Sequence, residues 1–169
     1  MSKSKSGKDR QCAAIPYVMR GGELQVMLLT SRGTGRWIVP KGWPKKRHTP
    51  AEMAALEAFE EGGVVGDVTP LPIGVFDYNK ILNSGAMRRL TVDVYGLRVR
   101  FECLDWPERL ERKRIWVSPE EAALMVAEPE LADLFLRFAK IERKARSAFR
   151  GAFVASPAAD KISLPRFDA

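Results

Sequence analysis

Three glutamates carry the densest chemistry in this sequence: Glu57, Glu60 and Glu61, within Leu56-Glu57-Ala58-Phe59-Glu60-Glu61-Gly62. On an α-helix, which turns about 100° per residue, the three fall within roughly 100° of circumference and share a face. Carboxylates about 4–6 Å apart repel by several kcal/mol at an effective dielectric near 20. Solvent, a raised pKa or a divalent cation must offset that repulsion. Carboxylate oxygens suit Mg2+ or Mn2+, which also bridge phosphate groups. Taken alone, the spacing fits a solvated acidic face as well as a metal site. Ala54, Ala55, Ala58 and Phe59 offer the helix a separate apolar face to bury.

The preceding segment narrows the choice. Residues 24–51 contain no acid, but carry Arg32, Arg36, Lys41, Lys45, Lys46 and Arg47, with glycines at 33, 35 and 42. A basic, glycine-bearing loop that feeds an acidic helix suits a polyphosphate: the bases hold outer phosphates while metals grip the bridging ones. Arg32, Lys45, Lys46, Arg88 and Arg89 are the candidates for outer-phosphate contacts.

These residues need a scaffold, and the sequence supplies its outline. Gln11 to Met19 and Leu24 to Thr30 are apolar runs broken by Arg20-Gly21-Gly22, which predicts a β-hairpin. Ser31 to Gly35 reads as a turn, Trp37-Ile38-Val39 as a short strand stopped by Pro40, and Lys41 to His48 as a loop. Thr49-Pro50-Ala51-Glu52 is a helix start with a capping box and proline at the first position, so a helix is expected over about Pro50 to Glu61, ended by Gly62-Gly63. Leu71 to Tyr78, Leu90 to Cys103 and Ile115-Trp116-Val117 are strand candidates. Ser118-Pro119-Glu120-Glu121 opens a short helix, and Pro129 to Phe149 fits a long one with Leu131, Leu134, Phe135 and Phe138 at helical spacing. Strands around a central helix make a single α/β or α+β domain, expected over residues 10–149. A disordered basic tail at 1–9 and an extension at 150–169 flank it.

Gly42 to Val64 resembles the Nudix box: Gly, five residues, Glu, seven residues, Arg-Glu, an apolar residue, one residue, Glu-Glu, one residue, Gly, an apolar residue. Gly42, Glu57, Ala58, Glu60, Glu61, Gly63 and Val64 match in register. His48 stands where the pattern has its first Glu, and Leu56 where it has Arg. Ser31-Arg32, Arg36 to Gly42, Leu104 to Glu108 and Arg112 to Trp116 are similar to the diphosphoinositol polyphosphate and diadenosine polyphosphate phosphohydrolase subfamily. The resemblance implies an α/β/α sandwich around a mixed sheet with a loop–helix–loop motif. It also implies Mg2+- or Mn2+-dependent hydrolysis of a diphosphate linkage. By the same resemblance Glu57, Glu60 and Glu61 are metal ligands, one of them also activating water, and a carbonyl near Gly42 completes the shell. Arg89 and the Arg112-Lys113-Arg114 run fall where it places substrate contacts. The missing Arg normally orients the helix glutamates, with the missing Glu as its neighbour. Because both are absent together, His48 and Leu56 read either as a paired replacement or as marks of a weakened enzyme.

Composition bounds the rest. The chain has 169 residues, 46% hydrophobic and 29% charged, ordinary for one folded domain. No stretch nears 18 consecutive apolar residues and the first ten lack an apolar core, so neither a membrane span nor a secretory signal is expected. Cys12 and Cys103 are read as reduced thiols of a cytoplasmic protein. The net charge of +7 divides unevenly: residues 1–10 carry +3 and residues 137–150 carry +5, which leaves −1 for the rest. Charge in a tail and a late helix argues against specific nucleic-acid binding. The expectation is therefore hydrolysis of a polyphosphorylated small molecule, either a dinucleoside polyphosphate or a diphosphoinositol phosphate. A decayed ligand-binding module and an RNA-end pyrophosphohydrolase are the alternatives.

Overall fold

The structure, a computed structural model, describes residues 9–82 and 84–154. The expectations for residues 1–8 and 155–169 lie outside the described residues. Strands β1 (Arg10–Arg20) and β2 (Glu23–Thr30) form the hairpin the sequence predicts. Its two-residue turn is Gly21-Gly22, with φ of 57° and 86°. Positive φ at both central residues matches the twist of a tight hairpin, and glycine adopts it without a Cβ clash.

The chain continues through β3 (Trp37–Ile38), β4 (Lys41–Gly42), α1 (Pro50–Gly62), β5 (Val64–Val68), β6 (Gly74–Ile81), β7 (Met87–Glu102), β8 (Arg114–Val117), α2 (Pro119–Met125) and α3 (Pro129–Val154). The sheet runs β3-β2-β1-β7-β5, with β4 on β1, β6 on β7 and β8 on β2. The β1–β7 pair is parallel and its neighbours are antiparallel, so the sheet is mixed.

Both faces of the sheet are covered, and the period of two along each strand shows how. Ala13, Ile15, Val26, Leu28, Val92 and Val94 point to Leu131, Leu134, Phe135 and Phe138 of α3. Cys12, Ala14, Met27, Leu29, Tyr95 and Leu97 point to Met53, Ala54 and Ala58 of α1. This is an α/β/α sandwich, as expected. Burial on both faces explains why Leu90 to Leu97 is buried without interruption, where a one-sided strand would alternate. Among the described residues no helix is long and apolar enough to cross a membrane, and Cys12 and Cys103 are free thiols.

Several boundaries differ from the sequence reading. Lys41–Gly42 is not loop but a two-residue strand, paired through Cys12↔Gly42 and Ala13↔Lys41. The strand expected from Leu71 begins at Gly74, where pairing with Val94 starts, and continues to Ile81. The last helix passes Phe149 and runs to Val154.

Candidate active site

Helix α1 starts as its sequence dictates. Thr49 Oγ1 accepts from the Glu52 N–H at 3.2 Å, and Glu52 Oε2 accepts from the Thr49 N–H at 2.7 Å. The helix ends at Gly63, in the left-handed region with φ 64°. A Cβ there would lie 2.4 Å from Trp106 Cδ2, so glycine is required by conformation and by space.

Of the two readings of the acidic face, a solvated surface does not fit Glu57 and Glu61. Glu57 and Glu61 are buried, at 8% and 7% exposure, alongside Met53, Ala54 and Ala58, whereas Phe59 is only half-buried. The two glutamates lie one turn apart on a wall that faces the basic loop rather than water. Strand β4 brings that loop in. A Cβ on Gly42 would fall 1.9 Å from Glu57 Oε1, so the Glu57 carboxylate occupies the space a side chain at 42 would need. The Lys41 N–H donates to Glu61 Oε2 at 3.1 Å.

The glutamates are held differently. Glu61 Oε1 accepts from Arg112 Nη2, a side chain only 5% exposed. Glu60 is more open and lies 3.7 Å from Lys45 Nζ. Glu57 has neither hydrogen bond nor ion pair among the described residues. Burial pushes the Glu57 carboxyl up, reinforced by Glu60. Burial pushes Glu61 up to about 7, opposed by Arg112 and by the Lys41 N–H and ammonium. The Lys41 ammonium is itself pushed down by burial and lies 5.2 Å from the Tyr78 ring centroid.

These groups line one cleft of about 610 Å3. Glu57, Glu61 and Gly42 form its floor, Arg32, Arg36 and Lys45 its basic rim, and Trp43, Tyr78, Lys80 and Ile81 the opposite side. Of the site residues expected from sequence, the structure gathers Gly42, Glu57, Glu61, Arg32 and Lys45 here, with Glu60 joined through Lys45. Lys46 is exposed beside them. Arg89 faces a neighbouring pocket with Asp77 and Glu130, paired to Asp77 at 2.8 Å. Arg88 is paired with Asp9. The Arg112 side chain, grouped by sequence with substrate contacts, is 5% exposed and does not line the cleft. Tyr78 and Trp43 line the cleft without having been singled out: no spacing rule joins Tyr78 of β6 to the box, and an indole beside Gly42 carries neither charge nor ligand signal. Lys41, read from sequence only as one base of the loop, lines it too.

His48 and Leu56 sit in different surroundings. His48 is exposed before the helix, while Leu56 packs against the core cluster of Met27, Leu29, Met53 and Ala58.

Among the described residues, no three His, Cys, Asp or Glu side chains stand already gathered as a metal cage. The donor chemistry nevertheless fits a hard cation. Glu57 is a buried carboxylate with no donor among the described residues, next to a second carboxylate and to the backbone of Gly42, and oxygen donors of this kind suit Mg2+ or Mn2+.

No family model matches the chain. Curated proteins do, among them the following two. Nudix hydrolase 12, mitochondrial, of Arabidopsis thaliana is 28% identical over 172 residues, covering 85% of this chain and 85% of the relative. Diphosphoinositol polyphosphate phosphohydrolase 3-beta of Homo sapiens is 36% identical over 118 residues, covering 69% of this chain and 68% of the relative. Among solved structures, a C. elegans Ap4A hydrolase binary complex superposes with a TM-score of 0.60 at 17% identity, over 80% of this chain and 98% of that one.

Proposed function

The chain belongs to the Nudix hydrolase family, and from that premise we propose that it hydrolyses a diphosphate linkage in a highly phosphorylated small molecule, either a dinucleoside polyphosphate or a diphosphoinositol phosphate. The family puts the activity in the hydrolysis of a diphosphate-containing substrate. One observation carries the finer reading: two buried glutamates, one without a partner among the described residues, floor a cleft whose rim is Arg32, Arg36 and Lys45.

Each residue then has a task. Glu57 and Glu60, with the Gly42 carbonyl and Glu61, would hold Mg2+ or Mn2+. The bound ion would supply charge neutralisation for the diphosphate and a water acidic enough to ionise near neutral pH. Arg32 and Lys45 bind outer phosphates, exchanging their contacts to Glu108, Glu111 and Glu60 for charge-assisted bonds to the substrate. The Lys41 ammonium stays beside Glu61 and supplies positive field at the floor. Lys46 adds to the field at the mouth of the cleft.

The test is a phosphate-release screen with Mg2+ across dinucleoside polyphosphates, diphosphoinositol phosphates, nucleoside triphosphates, ADP-ribose and capped RNA. The expected result is turnover strongest on the first two, lost on adding chelator and lost in Glu57→Gln. Preference for capped RNA, or undiminished turnover by Glu57→Gln, would overturn the assignment.

A further inference from the structure

We infer that Arg112 is the positioning residue of the site: it holds Glu61 in the cleft from outside the helix, the task that Leu56 leaves undone within it. The inference rests on the hydrolase reading for its kinetic arm and on the structure alone for its metal-binding arm.

Position 56 cannot orient a glutamate. Its side chain is apolar, half-buried, and packs against the core cluster that α1 shares with the sheet. Arg112 comes instead from the segment leading into β8, 51 residues after Glu61 in sequence. It is 5% exposed, and each of its three nitrogens is engaged. Nη2 donates to Glu61 Oε1, Nε to Glu108 Oε2 at 2.6 Å, and Nη1 to the Thr30 carbonyl at 2.9 Å. A planar guanidinium pinned at three points has no rotational freedom left to lose, and a lysine cannot reproduce that fork. Glu61 is fixed at both oxygens, since Oε2 accepts the Lys41 N–H.

The support for Arg112 is itself docked on α1. The Glu108 N–H donates to the Glu60 carbonyl at 3.0 Å, so the residue that anchors Arg112 is tied to the same helix turn that carries Glu60 and Glu61. Glu108 also lies 3.5 Å from Arg32 Nη1. An alternating chain Arg32–Glu108–Arg112–Glu61 thus runs from the cleft rim to its floor. Arg112 does not line the cleft, and its three nitrogens are taken by protein groups, so its effect on the site passes through Glu61.

The experiment compares wild type, Arg112→Ala, Arg112→Lys and Glu108→Gln by three readouts: thermal midpoint, Mn2+ affinity by electron paramagnetic resonance without substrate, and kcat and KM on the best substrate of the screen. Supporting partners of a metal site typically contribute about 10–100-fold in affinity or activity. The expected result is a loss of that size in Mn2+ affinity and in kcat for Arg112→Ala, with KM within about threefold. Losses should be smaller in Arg112→Lys and Glu108→Gln. Added methylguanidinium should restore kcat to Arg112→Ala, a rescue that general destabilisation would not show. If Arg112→Ala does not fold, the lysine and Glu108 variants carry the same test.

Folded variants with wild-type Mn2+ affinity and kcat would overturn the inference. So would a raised KM at unchanged kcat, which would make Arg112 a direct substrate contact. A wild type that binds no Mn2+ would overturn it as well. If no substrate is turned over but Mn2+ affinity still falls in the variants, the inference stands and the hydrolase reading fails.

Discussion

The two ends of helix α1 are built on opposite plans. The entrance closes on itself: Thr49 and Glu52 exchange hydrogen bonds across three residues, Pro50 presets the first turn, and the whole device is exposed. The exit is assembled from elsewhere. Arg114 Nη1 donates to the Gly62 carbonyl at 2.7 Å, taking up a helix-end acceptor that no basic residue of the last turn could serve. Arg114 also stacks over Trp106 at 4.2 Å, and that ring covers Gly63. The Cys103 N–H donates to the Gly63 carbonyl at 2.7 Å, and Arg112 holds Glu61. A local entrance fixes where the helix starts. A remote exit fixes where the glutamates point, and that is what chemistry in the cleft requires.

The strongest way to break the contrast is Gly63→Ala. The new Cβ would need a left-handed backbone, at roughly 1–2 kcal/mol, and would enter the space of the Trp106 ring, where overpacking costs about 1–3 kcal/mol more. Urea unfolding should show a combined loss on the order of 3 kcal/mol, and metal-dependent turnover should fall with it as the exit shifts. A variant as stable as wild type would mean that the exit tolerates rearrangement.

The same contrast explains what the sequence revealed. Helix caps, the Gly21-Gly22 hairpin and the α3 stripe are legible because their partners lie within a few residues, so spacing encodes them. Gly42 and Glu57 are legible only through the resemblance to the box, since nothing in composition says that a carboxylate fills the place of a Cβ. Arg112, Arg114 and Trp106 reach α1 across more than forty residues, and no periodicity records that approach. The burial of Glu57 and Glu61 was hidden for a related reason. Helical geometry gives the angle between two side chains, but which face turns inward depends on what the sheet and loops present to it.

A milder prediction concerns the entrance. Thr49→Ala removes the acceptor for the Glu52 N–H and should cost about 1 kcal/mol in urea unfolding. Because the glutamates are positioned from the exit, kcat should change much less than in Gly63→Ala. A loss of kcat as large as in the exit variant, at equal folded fraction, would show that both ends position the site and would collapse the distinction.

The smallest expected effect sharpens the comparison through pH. The entrance of α2 repeats the device of α1: Ser118 accepts from the Glu121 N–H at 3.2 Å, and Glu121 accepts from the Ser118 N–H at 2.8 Å. Hydrogen bonds from the Thr49 and Ser118 N–H groups hold the Glu52 and Glu121 carboxyls below the ordinary 4.5 of a glutamate. A carboxylate whose folded pKa is depressed contributes stability above its unfolded value, and that contribution disappears as pH falls through the folded value. Glutamine keeps the capping geometry but does not titrate in this range. Chemical unfolding of wild type and of the Glu52→Gln/Glu121→Gln double variant, in chelator, should therefore converge below the folded pKa values and separate in favour of wild type as pH rises past 4.5. The two boxes share no contacts, so the single variants should add. A double variant that parallels wild type across the whole range would mean that the carboxylate charge contributes nothing to the caps and that their geometry alone sets the helix starts.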